Sequence, residues 1–347
     1  RAGTRAAPST WAARWAMTDA VSGRLYLTQF ISSMFGMLSS APVVQRRGYR
    51  FTFIIGLILM AAGMALLASG TFLQGIIAVA TFGFGHGVTT PAGNLRTADV
   101  TPERSASALN VINAVWGLGA MSSPLLLKAS VHRPSWFLYG TAIALAVLLI
   151  GFLVVRFDPD AHSESGNESR VTRLSNPGIL AVIGALFFIF FGAETAFGGW
   201  VATYAHRVSP ESTVWTTAPS FFYGAMLVGR SLAPLALKRL RPTTVAQFGL
   251  ACALLGGFTL LSARSVAFVI PGAFLAGLGM ASIFPISVSL FPRWFADSAR
   301  ASSGPVFACG NLGGAVLPWL VGVVSTYSGS LRLAFLVPTT IQPRESA

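Results

Sequence analysis

Glu194 stands in GILAVIGALFFIFFGAETAFGGWVATYA, from Gly178 to Ala205, and it is the one acid of the chain inside a membrane-length apolar run. An ionised carboxylate in hydrocarbon costs at least about 2.5 kcal/mol, so a chain keeps one there only where it faces protein, water or cargo. Three roles are open to it: a proton carrier, a hydrogen-bond acceptor for the hydroxyls of a cargo, or a structural acid bonded to a nearby backbone break. Gly192, Gly198 and Gly199 flank it, as in the interrupted helices that line polar cavities in membranes. Counted at 1.5 Å per residue from a cytoplasmic entry, Glu194 lies about 24 Å up, in the outer half of a core about 30 Å thick.

Arg230 is the one cation inside a later span, 18 residues past Ser212. An intramembrane Arg is paired, hydrated or snorkelling. The same count places it toward the cytoplasmic side, a vertical gap on the order of 15 Å or more from Glu194, so no direct pair is expected and a gate or a bond to backbone carbonyls is favoured over cargo binding. Asn110, Asn113 and Trp116 recur at spacings of three and share a helix face. Amides and an indole suit a sugar, whose hydroxyls take bidentate partners and whose apolar face stacks on a ring. The plainer alternative is interhelical hydrogen bonding, worth about 0.6 kcal/mol each. Gln29, Trp200 and Asn311 are further candidates for solute contact, Asn94 for a gating or structural part, and His86 for a proton relay or a satisfied polar residue between helices.

The elements that must position these residues are membrane spans. The chain of 347 residues is 53% hydrophobic and 10% charged, against roughly 25% charged in soluble domains. Runs without charge and near the 20 residues that a span needs are Leu25 to Val44, Phe51 to Leu95 (two helices hinged at Ser69-Gly70-Thr71), Ser105 to Leu127 and Ser135 to Val155. After the polar stretch RFDPDAHSESGNESRVTRLSN come the Glu194 run, Ser212 to Leu237, Pro242 to Ala263, Ser265 to Pro292 and Ala301 to Leu331, with a turn at Ser328-Gly329 and a short apolar stub beyond it. About ten complete spans and a C-terminal stub are therefore expected in an all-α polytopic membrane protein.

Alternate loops carry Arg46, Arg47, Arg50, Arg96, Arg104, Arg156, Arg170, Arg173, Lys238, Arg239, Arg241, Arg293 and Arg300, and the opposite loops only Lys128, Arg133, Arg207, Arg264 and Arg332. This asymmetry makes the polar stretch a cytoplasmic linker, although Arg1, Arg5, Arg14 and Arg24 lie on the other side and narrow the contrast.

An internal repeat sets the architecture. Gly83, Gly85 and Pro91 recur as Gly277, Gly279 and Pro285, and Gly119 and Pro124 as Gly313 and Pro318, at an offset of 194. Ala41-Pro42 with Arg46-Arg47 recurs as Ala233-Pro234 with Lys238-Arg239, at 192. The chain reads as a tandem duplication, and the offset places the counterpart of the Glu194 helix mostly before residue 1. The expected organisation is an extracytoplasmic remnant (1–24) after a missing first helix, an N-terminal bundle (25–156), a cytoplasmic linker (157–177) and a truncated C-terminal bundle (178–347), from an intact plan of two six-helix bundles.

With these residues in place, the chain resembles the major facilitator superfamily over essentially its whole length. The loop APVVQRRGYR is similar to that superfamily's signature between its second and third helices, with Ala41 in place of the first Gly and Gln45 in place of the Asp. The resemblance gives Arg46 and Arg47 a gating or structural part. Within the superfamily, FGHGVTTPAGNLRTADVTPERSASALNVINAVWG, GAETAFGGW and Gly229-Arg230 resemble the fucose-permease-like sugar transporters, with Thr90 where that type has a coupling Glu. The resemblance implies import of a small sugar with protons, with Glu194 and His86 as candidates for the proton.

Other classes are disfavoured. HExxH, GxSxG and a P-loop Gly-Lys-Ser/Thr are absent, so no enzyme, nucleotide site or cofactor is expected and uphill movement must draw on an ion gradient. Cys252 and Cys309 lie in apolar runs and form neither a disulfide framework nor a metal set. Arg residues scattered between spans are topology signals, which leaves no nucleic-acid partner. The expected function is secondary active transport of a small polar solute, a sugar with H+ in particular, by a monomer in the plasma membrane. The alternatives are a drug or metabolite efflux antiporter of the same fold and a non-transporting sensor or scaffold.

Overall fold

The computed structural model describes residues 17–69, 71–100, 105–130, 133–154, 177–290, 294–295 and 299–340. Among them the regular elements are helices: α1 Asp19–Ser69, α2 Phe72–Val100, α3 Ser105–Ala129, α4 Pro134–Val154, α5 Pro177–Val208, α6 Ala218–Leu237, α7 Pro242–Ser262, α8 Val266–Met280, α9 Ile283–Ser289, α10 Ala299–Ser328, α11 Leu331–Ala334 and α12 Leu336–Thr340. The chain is an all-α polytopic membrane protein. Eight of these stretches are long and apolar enough to cross a bilayer by themselves, the first of them more than twice the needed length.

At 51 residues α1 covers two spans. It breaks at Gly48, whose φ of 79° and ψ of 168° suit only glycine. The connection expected around Arg46 to Arg50 shrinks to this one residue. Gly83 of α2 packs on Gln29 before the break and Gly85 on Gly56 after it, so the two limbs fold back to hold α2 between them. The first limb starts at Asp19, six residues before the expected Leu25. Thr18 Oγ1 accepts from the Val21 amide at 3.4 Å, and an acid in the first turn suits the helix dipole.

In the second half, the expected Ser265 to Pro292 span divides into α8 and α9 at Ala281-Ser282. Pro285 has no amide to donate to the carbonyl of Ala281, which ends the regular ladder there. The expected linker, 157–177, lies outside the described residues except for Pro177, which begins α5. The turn at Ser328-Gly329 is present, with Gly329 at φ 67°.

The duplication is visible as packing. Gly83 meets the backbone of Gln29, and Gly277 meets Phe222; Gly85 meets Gly56, and Gly279 meets Gly249. The glycines of α2 and α8 are related by 194 positions and their partners by 193 (222 − 29 and 249 − 56), within one residue of the offset read from the sequence. A Cβ at any of these four glycines would press into the facing backbone, so small residues there let helices approach closely in a medium where lipid tails remove the hydrophobic drive.

The apolar core of the second half lies among α5, α6, α7, α8 and α10 around Phe197, Phe222, Met226, Leu260, Met280 and Val321. The halves meet where α1 packs on α10 and α3 on α6. At one end they are tied: Asp19 accepts from Arg207 Nη2 at 2.6 Å and from Ser325 Oγ, and the Ala20 amide donates to Thr326 Oγ1 at 2.9 Å.

Candidate solute site between the halves

α5 runs unbroken through Gly192, Gly198 and Gly199. The expected interruption is absent because these glycines seat side chains from other helices instead of ending the ladder. The Tyr223 ring of α6 lies against Gly198 and the Tyr26 ring of α1 against Gly199, where a Cβ would stand 2.5 Å from the Tyr26 hydroxyl. Tyr26 donates that hydroxyl to the Gly199 carbonyl at 3.0 Å and carries its ring 6.2 Å from Trp200. A residue of the first half is thereby hydrogen-bonded to the backbone of the second, five residues from Glu194.

Glu194 is 9% exposed and faces protein. Its partner is Arg230, whose Nη2 stands 4.0 Å from Oε1. This corrects the expected separation of the two charges. The 3-10 turn Thr213–Thr216 precedes α6, which starts only at Ala218, so Arg230 lies about 18 Å along its helix and not the longer distance counted from Ser212. Glu194 lies about 20 Å from the same end of α5, a helix of 32 residues that overruns a 30 Å core at both ends. The two levels coincide, and the long guanidinium stem covers the rest.

A charge-assisted N–H···O bond closes to about 2.8 Å. At 4.0 Å this pair has attraction without a hydrogen bond. Among the described residues Glu194 accepts none, and the buried Nε of Arg230 has no partner. Breaking either side of such a pair would leave a buried charge uncompensated, at about 3 to 5 kcal/mol. The site therefore holds fixed charges whose hydrogen-bonding capacity is unspent.

Trp116 of α3 completes the cluster from the first half. The Arg230 guanidinium lies over its ring at 5.2 Å from the centroid, and Tyr223 meets it edge-on at 6.1 Å. Trp116 as a residue remains 44% exposed. Gly117, next in sequence, is packed on Leu227, and Met121 on Gly224, which sets the register of α3 against α6. A carboxylate, a guanidinium and an aromatic face thus converge from three helices of both halves.

The other residues singled out in the sequence are dispersed. The Asn110 side chain lies outside the described residues. Asn113 is exposed and donates to the Leu109 carbonyl of its own helix at 2.9 Å. Trp200 is buried and gives its indole N–H to the Pro318 carbonyl at 2.9 Å. Asn311 donates to the Phe307 carbonyl at 3.1 Å and reaches Met37 Sδ at 3.3 Å, linking α10 to α1. Gln29 is half-buried at the α1–α2 contact, and Asn94 is exposed. His86 stacks on Phe82 at 6.3 Å, with its Nε2 3.5 Å from Thr90 Oγ1. Arg46 is exposed, and Arg47 lies 5.7 Å over the Phe51 ring, both beside the Gly48 break. Tyr26 and Tyr223 escaped the sequence reading, since each is defined by a glycine on another helix.

The fold agrees with known proteins. The chain is 26% identical over 323 residues to the glucose/mannose transporter GlcP of Bacillus subtilis (strain 168), a match covering 88% of this chain and 79% of that protein. Its fold superposes on a mutant form of the nucleoside transporter NupG with a TM-score of 0.79 at 15% identity, covering 96% of this chain and 91% of the other. It superposes on the transporter FucP in the outward conformation with a TM-score of 0.60 at 19% identity, covering 93% and 86%. The family model described as Major Facilitator Superfamily matches residues 6–272. With the paired helix contacts and the charge cluster between the halves, this match shows that the chain belongs to the Major Facilitator Superfamily.

Proposed function

We propose that the protein moves a small sugar across the membrane by alternating access, with the sugar held between Trp116, Arg230 and Glu194. The observation that carries this is the cluster itself, since one cation contacts an aromatic ring of the first half and a carboxylate of the second. A hexose offers what the site lacks: hydroxyls to accept from Arg230 and donate to Glu194, and an apolar face for the exposed part of the Trp116 ring. The similarity to a glucose/mannose transporter supports a hexose over other polar solutes.

Movement needs a change in how the halves meet. Contacts at the cluster involve both halves, so rocking one against the other separates Trp116 from Glu194 and releases the solute. The end held by Asp19 and Arg207 is the outer end on the charge asymmetry of the loops, which makes this state closed to the outside. Glu194 takes up a proton when the solute or the motion draws Arg230 away, which couples flux to a proton gradient. The chain acts in the plasma membrane with residues 157–177 on the cytoplasmic side.

Uptake of labelled glucose, mannose, galactose, fucose and a nucleoside into vesicles holding the full-length protein, with and without a pH gradient or a sodium gradient, tests this. Saturable hexose uptake that a pH gradient increases is the expected result. Uptake of the nucleoside alone would replace the sugar as solute, and stimulation by sodium alone would remove Glu194 as a proton carrier.

A further inference from the structure

A second polar feature lies away from the solute site. The loops opposite the Arg-rich ones hold five cations in all, Lys128, Arg133, Arg207, Arg264 and Arg332. Three of the five line a single cavity of about 390 Å³. Arg207 comes from the end of α5, Arg264 from the turn between α7 and α8, and Arg332 from α11. Three segments far apart in sequence thus bring like charges to one cavity, and no acid is among the lining residues. All three Arg residues are exposed, so solvent screens part of their mutual repulsion, and an anion bound among them would relieve the rest.

The three guanidiniums are not equally engaged. Arg332 donates to the Ala263 carbonyl, which fixes it on the cavity wall. Arg207 is held by Asp19 at 2.6 Å and Ser325 at 3.2 Å. Arg264 makes no hydrogen bond or ion pair among the described residues. The cavity lies at the ends of α5 and α10, where the chain leaves the membrane-length apolar helices, and Gly329, at φ 67°, is among its lining residues.

We propose that this cavity binds a phosphate group, either as the free ion or as the headgroup of an anionic lipid. The guanidinium fork matches phosphate oxygens in a bidentate way that an ammonium does not. Arg264 and Arg332 bind the oxyanion, and Arg207 joins it to the contact between the halves through Asp19. Occupancy then bears on how firmly that end stays closed.

The test uses the full chain and two probes. In the first arm inorganic phosphate is titrated against the detergent-solubilised protein at constant ionic strength, with thermal unfolding as the readout. In the second, the protein is placed in bilayers of phosphatidylcholine with or without phosphatidylglycerol, and the lipid retained after extraction is measured by mass spectrometry. Arg264→Gln removes no bond within the described protein and is compared with the double variant Arg264→Gln, Arg332→Gln. Saturable stabilisation by phosphate, weakened about tenfold in Arg264→Gln, assigns a free anion. Retention of phosphatidylglycerol that falls by a similar factor, without a phosphate effect, assigns the lipid. If neither probe distinguishes the wild type from Arg264→Gln, the proposal is overturned, whether or not the double variant folds.

Discussion

Arg230 Nη2 stands 4.0 Å from Glu194 Oε1 while the same guanidinium lies 5.2 Å from the ring centroid of Trp116, so one side chain touches a carboxylate of the second half and an aromatic face of the first. Arg230 therefore sits between the acid of α5 and the ring of α3.

Glu194→Gln keeps the shape and removes the charge. Accumulation driven by a pH gradient is expected to fall at least about tenfold, because an amide cannot carry the proton, while solute exchange at equal concentrations on both sides persists. Vesicle uptake with and without the gradient separates the two. Intact gradient-driven accumulation would end the coupling role.

Arg230→Lys keeps the charge without the fork. Solute affinity is expected to drop about tenfold with little change in thermal stability. Arg230→Met, by contrast, leaves the buried Glu194 unpaired and is expected to destabilise the protein by about 3 to 5 kcal/mol at neutral pH. That loss should shrink at low pH, where protonated Glu194 no longer needs a counter-charge. Thermal unfolding across pH reads both.

Trp116→Phe retains a flat ring and is expected to cost less than about 1.5 kcal/mol of solute binding, whereas Trp116→Ala removes both the sugar platform and the partner of Arg230 and is expected to cost more. Binding of the transported hexose by calorimetry ranks the three proteins. Equal affinities would take Trp116 out of the site.

Asp19→Asn weakens the tie to Arg207, whose side chain is 44% exposed, so the effect is modest. A loss of about 1 kcal/mol shifts the population in which this end is open by about fivefold. Spin labels at Arg24 and Tyr327, both exposed, would report a longer distance in the variant. An unchanged distance distribution would show that helix packing alone closes this end.

Gly83→Ala and Gly277→Ala occupy equivalent contacts in the two halves, against Gln29 and Phe222. Each is expected to destabilise by about 1 to 3 kcal/mol through overpacking. Thermal melts of the two variants in the same detergent should agree. A large loss from one and none from the other would mean that the repeated glycines carry different packing in each half.

Charge-free length was enough to place the spans, because in hydrocarbon every backbone group must be satisfied within its own helix, and the resulting apolar runs are long. The duplication was legible for a similar reason: Gly83, Gly85, Gly277 and Gly279 are forced by backbone contact and leave an offset in the chain. Glu194 announced itself by the cost of a charge in lipid. What the sequence could not supply was level and pairing. Whether Arg230 meets Glu194 depended on where α6 begins, and a short turn at Thr213–Thr216 moved that start by enough to bring the two charges together. Tyr26 entered the site through a glycine 173 positions away, and the three Arg residues of the second cavity came from three segments that only the packed bundle makes neighbours. Span identity is a local property of the chain's solvation, whereas a site between two halves is fixed by helix register, which is the outcome of all the contacts at once.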